Sequence, residues 1–224
     1  MSYGKAVLKA VIAGLVLVVA SCATMPLKSH PMTIGWENLL EDDLSNCTFN
    51  PGSWTMEKGV LTRQGGGSIW TQEQYGDFIL DLEFKVAEGT NSGIFFRTAD
   101  IKDPVQTGIE MQIYDSYGRQ KPTKHDCGAI YDCLEPKVNT MKPAGQWNRV
   151  TIMAKGSKIN IVMNGKQIID MDLNDWTQAH QNPDGTKNKF NTAYKDTARQ
   201  GAFGFQDHGK PVWYRNIKVK RLDE

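Results

Sequence analysis

Net charge is nearly absent from this chain: Lys plus Arg exceed Asp plus Glu by one over 224 residues. That balance leaves no basic footprint for a nucleic-acid backbone, so no nucleic-acid partner is expected. Cysteine is scarce, four residues in all with no Cys-x-x-Cys pair, which argues against a thiolate metal centre. Helical periodicity is rare and no internal repeat is visible, so after Ile34 one globular domain is expected. The single long apolar run, Ala10 to Ala20, is too short to cross a bilayer as a helix.

That run reads instead as the core of a leader. Lys5 and Lys9 precede it, and it ends in Val19-Ala20-Ser21-Cys22, which resembles a bacterial lipobox. Residues 1–21 are therefore expected to be a lipoprotein signal peptide, with lipid on the Cys22 sulfur. Ala23, in place of an acidic residue, points to the outer membrane of a diderm envelope, facing the periplasm. Residues 22–33, with Pro26 and Pro31 and no periodicity, read as a tether. Membrane contact is expected through the lipid anchor only. Of the other cysteines, Cys127 and Cys133 would stand about 20 Å apart on an extended strand, at about 3.3 Å per residue. That is too far for a disulfide, so Cys47, Cys127 and Cys133 read as small buried thiols unless Cys47 or a turn intervenes.

From Ile34 onward the chain punctuates itself as strands. In "FILDLEFKV", Phe78, Leu80, Leu82, Phe84 and Val86 fall on one face, and Asp81, Glu83 and Lys85 on the other. Comparable runs occupy Trp54 to Thr62, Gly93 to Thr98, Gly108 to Tyr114, Trp147 to Ala154 and Lys158 to Met163. Asn164-Gly165 between "KINIVM" and "KQIIDM" is a two-residue hairpin signal. Many short strands with Gly-rich turns predict an all-β sandwich over residues 34–224. The polar stretch Asp172 to Gln200 is too long for an ordinary hairpin connection and reads as a functional lid or a decorated loop. Short helices are expected around Asp175 to His180 and Thr192 to Arg199.

The polar faces of the strands supply candidate site residues. The period of two in "GIEMQIYD" turns Ile109, Met111 and Ile113 to the core, leaving Glu110, Gln112 and Tyr114 on the opposite face. In "NSGIFFRT" it groups Arg97 with Phe95, so on neighbouring strands Arg97 would lie across from Glu110 or Gln112. Carboxylate, amide and guanidinium together suit a hydroxyl-rich ligand, although a surface ion pair would look the same. Trp213, Tyr114, Tyr131 and Trp70 offer aromatic faces for sugar rings. Near the C-terminus, "GAFGFQDHGKPVWYRNIKV" interrupts two apolar-alternating runs with Gln206-Asp207-His208-Gly209, placing an amide, a carboxylate and an imidazole at a strand end.

The ordered succession "GSIWTQEQYGDFILDLEFKV", "NSGIFFR", "GIEMQIYD", "GAIYD", "GQWNRVTIMAKGSKINIVMNG" and "GFQDHGKPVWYRNI" resembles the 3-keto-disaccharide hydrolase family over nearly all of the chain after Cys22. The resemblance implies a concanavalin-like jelly roll, similar to those of legume lectins and laminarinases, and a carbohydrate partner. It also implies that Glu110, Gln112, Arg97 and the Gln206 to Gly209 turn converge on a sugar site. His125 and Asp126 stand just ahead of the Gly-Ala-x-Tyr pattern.

The chemistry follows from the substrate class that the resemblance implies. A ketone at C3 acidifies the C2 hydrogen, the glycosidic oxygen on C1 then leaves by β-elimination, and water adds to the enone. This route needs a base near C2, an electrophile for the C3 enolate and a proton donor for the leaving group. Glu110 is the expected base, His208 the acid or second base, and Arg97 the enolate stabiliser. A divalent metal ion held by Glu110 and His208 is the open cofactor question. Asn91, Gln112, Gln206, Asp207, His125, Tyr131 and Trp213 are the expected substrate-binding residues. Two other readings remain: a laminarinase-like glycosidase, which wants paired carboxyls about 5 to 5.5 Å apart, and a non-catalytic carbohydrate-binding module.

Overall fold

The computed structural model describes Met1 and residues 26–222; the leader and Cys22 lie outside the described residues. Its strands are β1 (Glu37–Asn38), β2 (Cys47–Thr48), β3 (Trp54–Glu57), β4 (Val60–Arg63), β5 (Ile69–Thr71), β6 (Phe78–Val86), β7 (Asn91–Thr98), β8 (Ile109–Tyr114), β9 (Asn148–Lys155), β10 (Lys158–Met163), β11 (Lys166–Asp172), β12 (Ala202–Phe205) and β13 (Val212–Arg221). One turn of helix, α1 (Pro104–Thr107), precedes β8. The larger sheet runs β11-β10-β9-β6-β13-β4-β3, with β1 beside β13, and the smaller runs β2-β5-β12-β7-β8. Every pairing is antiparallel, and the two sheets pack as a jelly-roll sandwich. Among the described residues no helix is long and apolar enough to cross a membrane.

The alternation in β6 explains how the sheets meet. Phe78, Leu80, Leu82, Phe84 and Val86 are all buried on its inner face. Burial of such side chains contributes roughly 1.5–3 kcal/mol each before the entropy of ordering is counted. Phe78 packs edge-on against Phe96 of β7 and Phe203 of β12, at centroid distances of 5.9 and 4.6 Å, which joins the large sheet to the small one. Asn164-Gly165 turns β10 into β11 with φ of 49° and 81°, the left-handed pair that a tight hairpin requires.

Several expectations need correction. The run from Trp54 is a hairpin of β3 and β4, because Lys58 and Gly59 both adopt positive φ, at 50° and 73°. The helices expected in the long polar stretch are single 3-10 turns, Leu173–Asp175 and Tyr194–Asp196. The stretch is tied down instead by hydrogen bonds: Lys189 N donates to Asp132 Oδ2 at 2.9 Å, Asn182 Nδ2 to Asp132 O at 3.1 Å, and Gln106 Nε2 to Lys189 O at 3.2 Å. Residues 127–133 form turns and isolated bridges rather than a strand; Cys47, Cys127 and Cys133 are buried free thiols. The expected tether is docked at its end, since His30 and Pro31 hydrogen-bond to the outer face of the larger sheet.

Candidate active site

The outer face of the smaller sheet carries the candidate site. Strand registers place Trp70 beside Gly204, Gly204 beside Phe95, and Phe95 beside Glu110. The segment after Gly128 adds to the free edge of β8, with Tyr131 N donating to Glu110 O at 3.0 Å and Gln112 N to Ala129 O at 2.9 Å. One side-chain row therefore reads Trp70, Gly204, Phe95, Glu110, Tyr131. The next contains Gln206, Gly93 and Gln112, since Gln206 N donates to Gly93 O at 2.9 Å and Gly93 faces Gln112. Asn91 follows along β7, where its Oδ1 accepts from Gln112 Nε2 at 3.0 Å.

Two glycines shape these rows by what they omit. A Cβ on Gly204 would stand 2.2 Å from the Trp70 ring, so the indole lies directly over bare backbone. A Cβ on Gly93 would stand 2.1 Å from Glu110 Oε1, so the carboxylate fills the space of a missing side chain. Trp70 and Phe95, with centroids 5.6 Å apart, form a small apolar cluster separate from the main core.

Glu110 is the unusual group on this face. It is 6% exposed, and its carboxylate has no hydrogen bond or ion pair among the described residues. Burial pushes its carboxyl up to about 8, against which the Lys189 charge pulls down. Lys189 Nζ lies 4.5 Å from the Tyr131 ring centroid and donates to the Tyr131 hydroxyl at 3.2 Å. Tyr194 is buried in the main core; burial, then the Cys133 thiol, hold its hydroxyl well above the usual range. The long polar stretch thus delivers Lys189 to the Tyr131 edge of the Glu110 row. Gln206 Oε1 is buried with no hydrogen-bond partner among the described residues, so its lone pairs are left unmet.

Not every residue singled out in the sequence belongs here. Arg97 is 1% exposed and points into the sandwich. Its φ of 53° and the register shift in the facing β12 break the alternation that grouped it with Phe95. The guanidinium donates to Gly76 O at 2.9 Å, Gly156 O at 2.7 Å and Asp77 Oδ1 at 2.9 Å, fastening β7 to the ends of β6 and β9. Asp207 is committed to structure: it accepts from Arg63 Nε, from Gly67 N at 3.0 Å and from Gly209 N at 2.9 Å. Burial acts to raise its pKa, but the bonds and charge from Arg63 and those two amides hold it at about 2. Trp213 lies on the other sheet, where register sets it opposite Lys85.

The imidazoles stand further out. His208 is exposed beyond the end of β12, past the Gln206 row, and makes no hydrogen bond among the described residues. His125 is exposed at the rim, its Nε2 3.0 Å from Asp132 Oδ1 and its ring 5.1 Å from that of Tyr131. No group of three His, Cys, Asp or Glu gathers among the described residues. Glu110 and His208, separated by the register, do not fit a shared ion, and no step below passes through a metal. Lys189 carried no sequence signal beyond its place in an overlong polar stretch.

Comparison with known proteins places the chain in a family. A model of the 3-keto-alpha-glucoside-1,2-lyase-like domain matches residues 34–220. The chain belongs to that family. A 3-keto-disaccharide hydrolase from Bacteroides thetaiotaomicron is similar to it, 26% identical over 84% of this chain and 75% of that protein. A crystal structure of a presumptive glycosyl hydrolase from Parabacteroides distasonis is 36% identical, with a TM-score of 0.79 over 84% of this chain and 99% of that one. A carbohydrate-binding module from Bacillus subtilis, 13% identical with a TM-score of 0.51 over 81% of this chain and 99% of that one, shares the fold alone. Within the family's match lie all the strands of the Glu110 face.

Proposed function

We propose that this protein cleaves 3-keto-glycosides by proton abstraction, elimination and hydration, with Glu110 as the base. The observation that carries this reading is the buried, unpartnered Glu110 carboxylate, raised to about 8 and flanked by an aromatic row and a row of amides. A carboxylate so desolvated is a stronger base than one in water, and a ketone-activated C–H is a substrate weak enough in acidity to need it. A carbohydrate as ligand fits the indole over Gly204 and the amides of Asn91, Gln112 and Gln206.

In the first step Glu110 takes the C2 proton and the electron pair moves onto the C3 oxygen as an enolate. The pair then returns to form the C1–C2 double bond as the C1–O bond breaks, and the leaving oxygen takes a proton. Tyr131, whose hydroxyl oxygen accepts from the Lys189 ammonium, is the proton donor that the geometry offers in place of the exposed His208. Water then adds at C1, its released proton restoring the Tyr131 hydroxyl, and Glu110, its own proton exchanged with solvent, delivers a solvent-derived proton to C2. His125, beside Tyr131 at the rim, is placed to meet the aglycone.

An ordinary retaining glycosidase would need a second carboxyl about 5 to 5.5 Å away. The neighbours of Glu110 along and across its row are Phe95, Tyr131, Gly93 and Gln112, and Asp115 is bonded to Gly89 N at 2.8 Å. The anchored, secreted form is part of the same proposal: Cys22 carries lipid and holds the domain at the cell envelope. Turnover of a 3-keto-glucoside in deuterated water tests the chemistry. Early product should carry deuterium at C2 above an enzyme-free control, and Glu110→Gln should lose both label and cleavage. Cleavage of unoxidised glucosides without C2 label would mean a glycosidase, and tight binding without turnover a binding module.

A further inference from the structure

The neck of the chain is fastened to the sheet opposite the candidate site. His30 Nδ1 lies 2.8 Å from Thr151 Oγ1 of β9, and His30 Nε2 accepts from Gly165 N at 3.0 Å in the β10–β11 turn. Arg149 Nη2 donates to Pro31 O at 2.8 Å, while its Nε binds Asp81 of β6 at 3.1 Å. Thr151 closes the cluster by donating to Asp81. The chain therefore enters the domain across the outer face of the larger sheet, turned away from Glu110.

That face has an uneven chemistry. Along its central strands β6, β9 and β13, the outward positions include Lys85, Arg149, Lys155, Arg215, Lys218 and Lys220 against Asp81 and Glu83. Arg149 pairs with Asp81 and Arg215 with Glu83 at 2.9 Å, so the surplus is cationic. Lys85, Lys218 and Lys220 have no carboxylate within ion-pair distance among the described residues. Two half-buried indoles stand among these cations, Trp213 with Lys85 Nζ at 4.6 Å and Trp147 with Arg215 at 4.1 Å. The acidic side chains of β11, Asp170 and Asp172, lie at the sheet's margin. Tryptophan with surrounding lysine and arginine is the combination that settles at a bilayer's headgroup level.

We propose that the outer face of the larger sheet is the membrane-facing surface of this protein, seated on anionic lipid headgroups so that the Glu110 face looks away from the bilayer. The inference rests on Cys22 being the anchor. From Cys22 to His30 is eight steps of chain, which reach at most about 28 Å. Because His30 is fixed to the larger sheet, that short leash brings its outer face, not the opposite one, toward the membrane. The lysines then meet headgroup phosphates, each contributing roughly a fivefold gain in surface partitioning.

The test uses the full chain, reconstituted with its anchor into vesicles of phosphatidylglycerol and phosphatidylethanolamine doped with a spin-labelled lipid. A fluorophore is placed at Thr62→Cys, opposite Trp213 on the proposed contact face, or at His125→Cys on the rim of the Glu110 face. The buried native thiols stay unlabelled. The Thr62 label should be quenched at least fivefold more than the His125 label. Lys85→Glu, Lys218→Glu and Lys220→Glu together, or high salt, should erase most of that contrast. His30→Ala should also weaken it while leaving turnover unchanged. Co-flotation with both labels equally quenched, or neither, would overturn the orientation alone. Failure to co-float would refute the anchor and the orientation with it. A contrast missing on vesicles but a Trp fluorescence shift with anionic polysaccharide would make this face a second glycan platform instead.

Discussion

Replacing Glu110 by Gln keeps the side chain's shape and removes its charge, and the two forms should differ in a pH-dependent way that can be worked out. An unfolded chain loses the Glu110 proton near 4.5, whereas the folded chain holds it until about 8. Between those values the native state binds more protons than the unfolded state, so this group makes stability fall as pH rises, by about 1.4 kcal/mol per unit. At pH 7 the accumulated cost is about 3 kcal/mol. Glu110→Gln should therefore match the parent near pH 4.5 and exceed its stability by about 3 kcal/mol at pH 7, less any small loss from amide burial. Urea unfolding followed by tryptophan fluorescence across pH 4.5 to 8 measures this directly. The same variant should have no turnover, and in the parent kcat/KM should climb with pH toward about 8 as the base becomes ionised. Parallel stability curves for the two proteins would refute the buried, unpaired carboxylate, and a pH–rate profile flat through this range would refute its role as base.

Arg97→Ala should destabilise the domain by about 3 kcal/mol in chemical denaturation, because it strips three buried hydrogen bonds and leaves Asp77 without its guanidinium; unaltered stability with lost turnover would return Arg97 to the site. Gly93→Ala has no backbone strain to overcome, yet its methyl must displace the Glu110 carboxylate, so kcat should fall at least tenfold while the fold persists by circular dichroism. Lys189→Met removes the charge that pulls the Glu110 carboxyl down, so the rising limb of the pH–rate profile should move to higher pH; a limb that stays in place would separate Lys189 from Glu110.

Sequence alone determined the strands and one face of the site. The period of two in β6 and β8 sorts Phe78 through Val86 and Ile109 through Tyr114 into inner and outer sets, because a pleated strand flips its side chains at every residue. That local rule was enough to set Glu110 and Gln112 on one surface, and Asn164-Gly165 was enough to mark a turn, since few residue pairs accept two left-handed dihedrals. Where the rule is broken by backbone geometry, sequence misleads: the positive φ of Arg97 sends its guanidinium inward to three acceptors drawn from other elements. Which sheet Trp213 would join depended on pairings between strands far apart in the chain. The burial that raises Glu110, and the arrival of Lys189 near it, likewise belong to the tertiary structure. Desolvation and Coulomb interaction depend on distance in space, and a long polar stretch held by hydrogen bonds to residues 124–132 has no local periodicity from which that distance could be read.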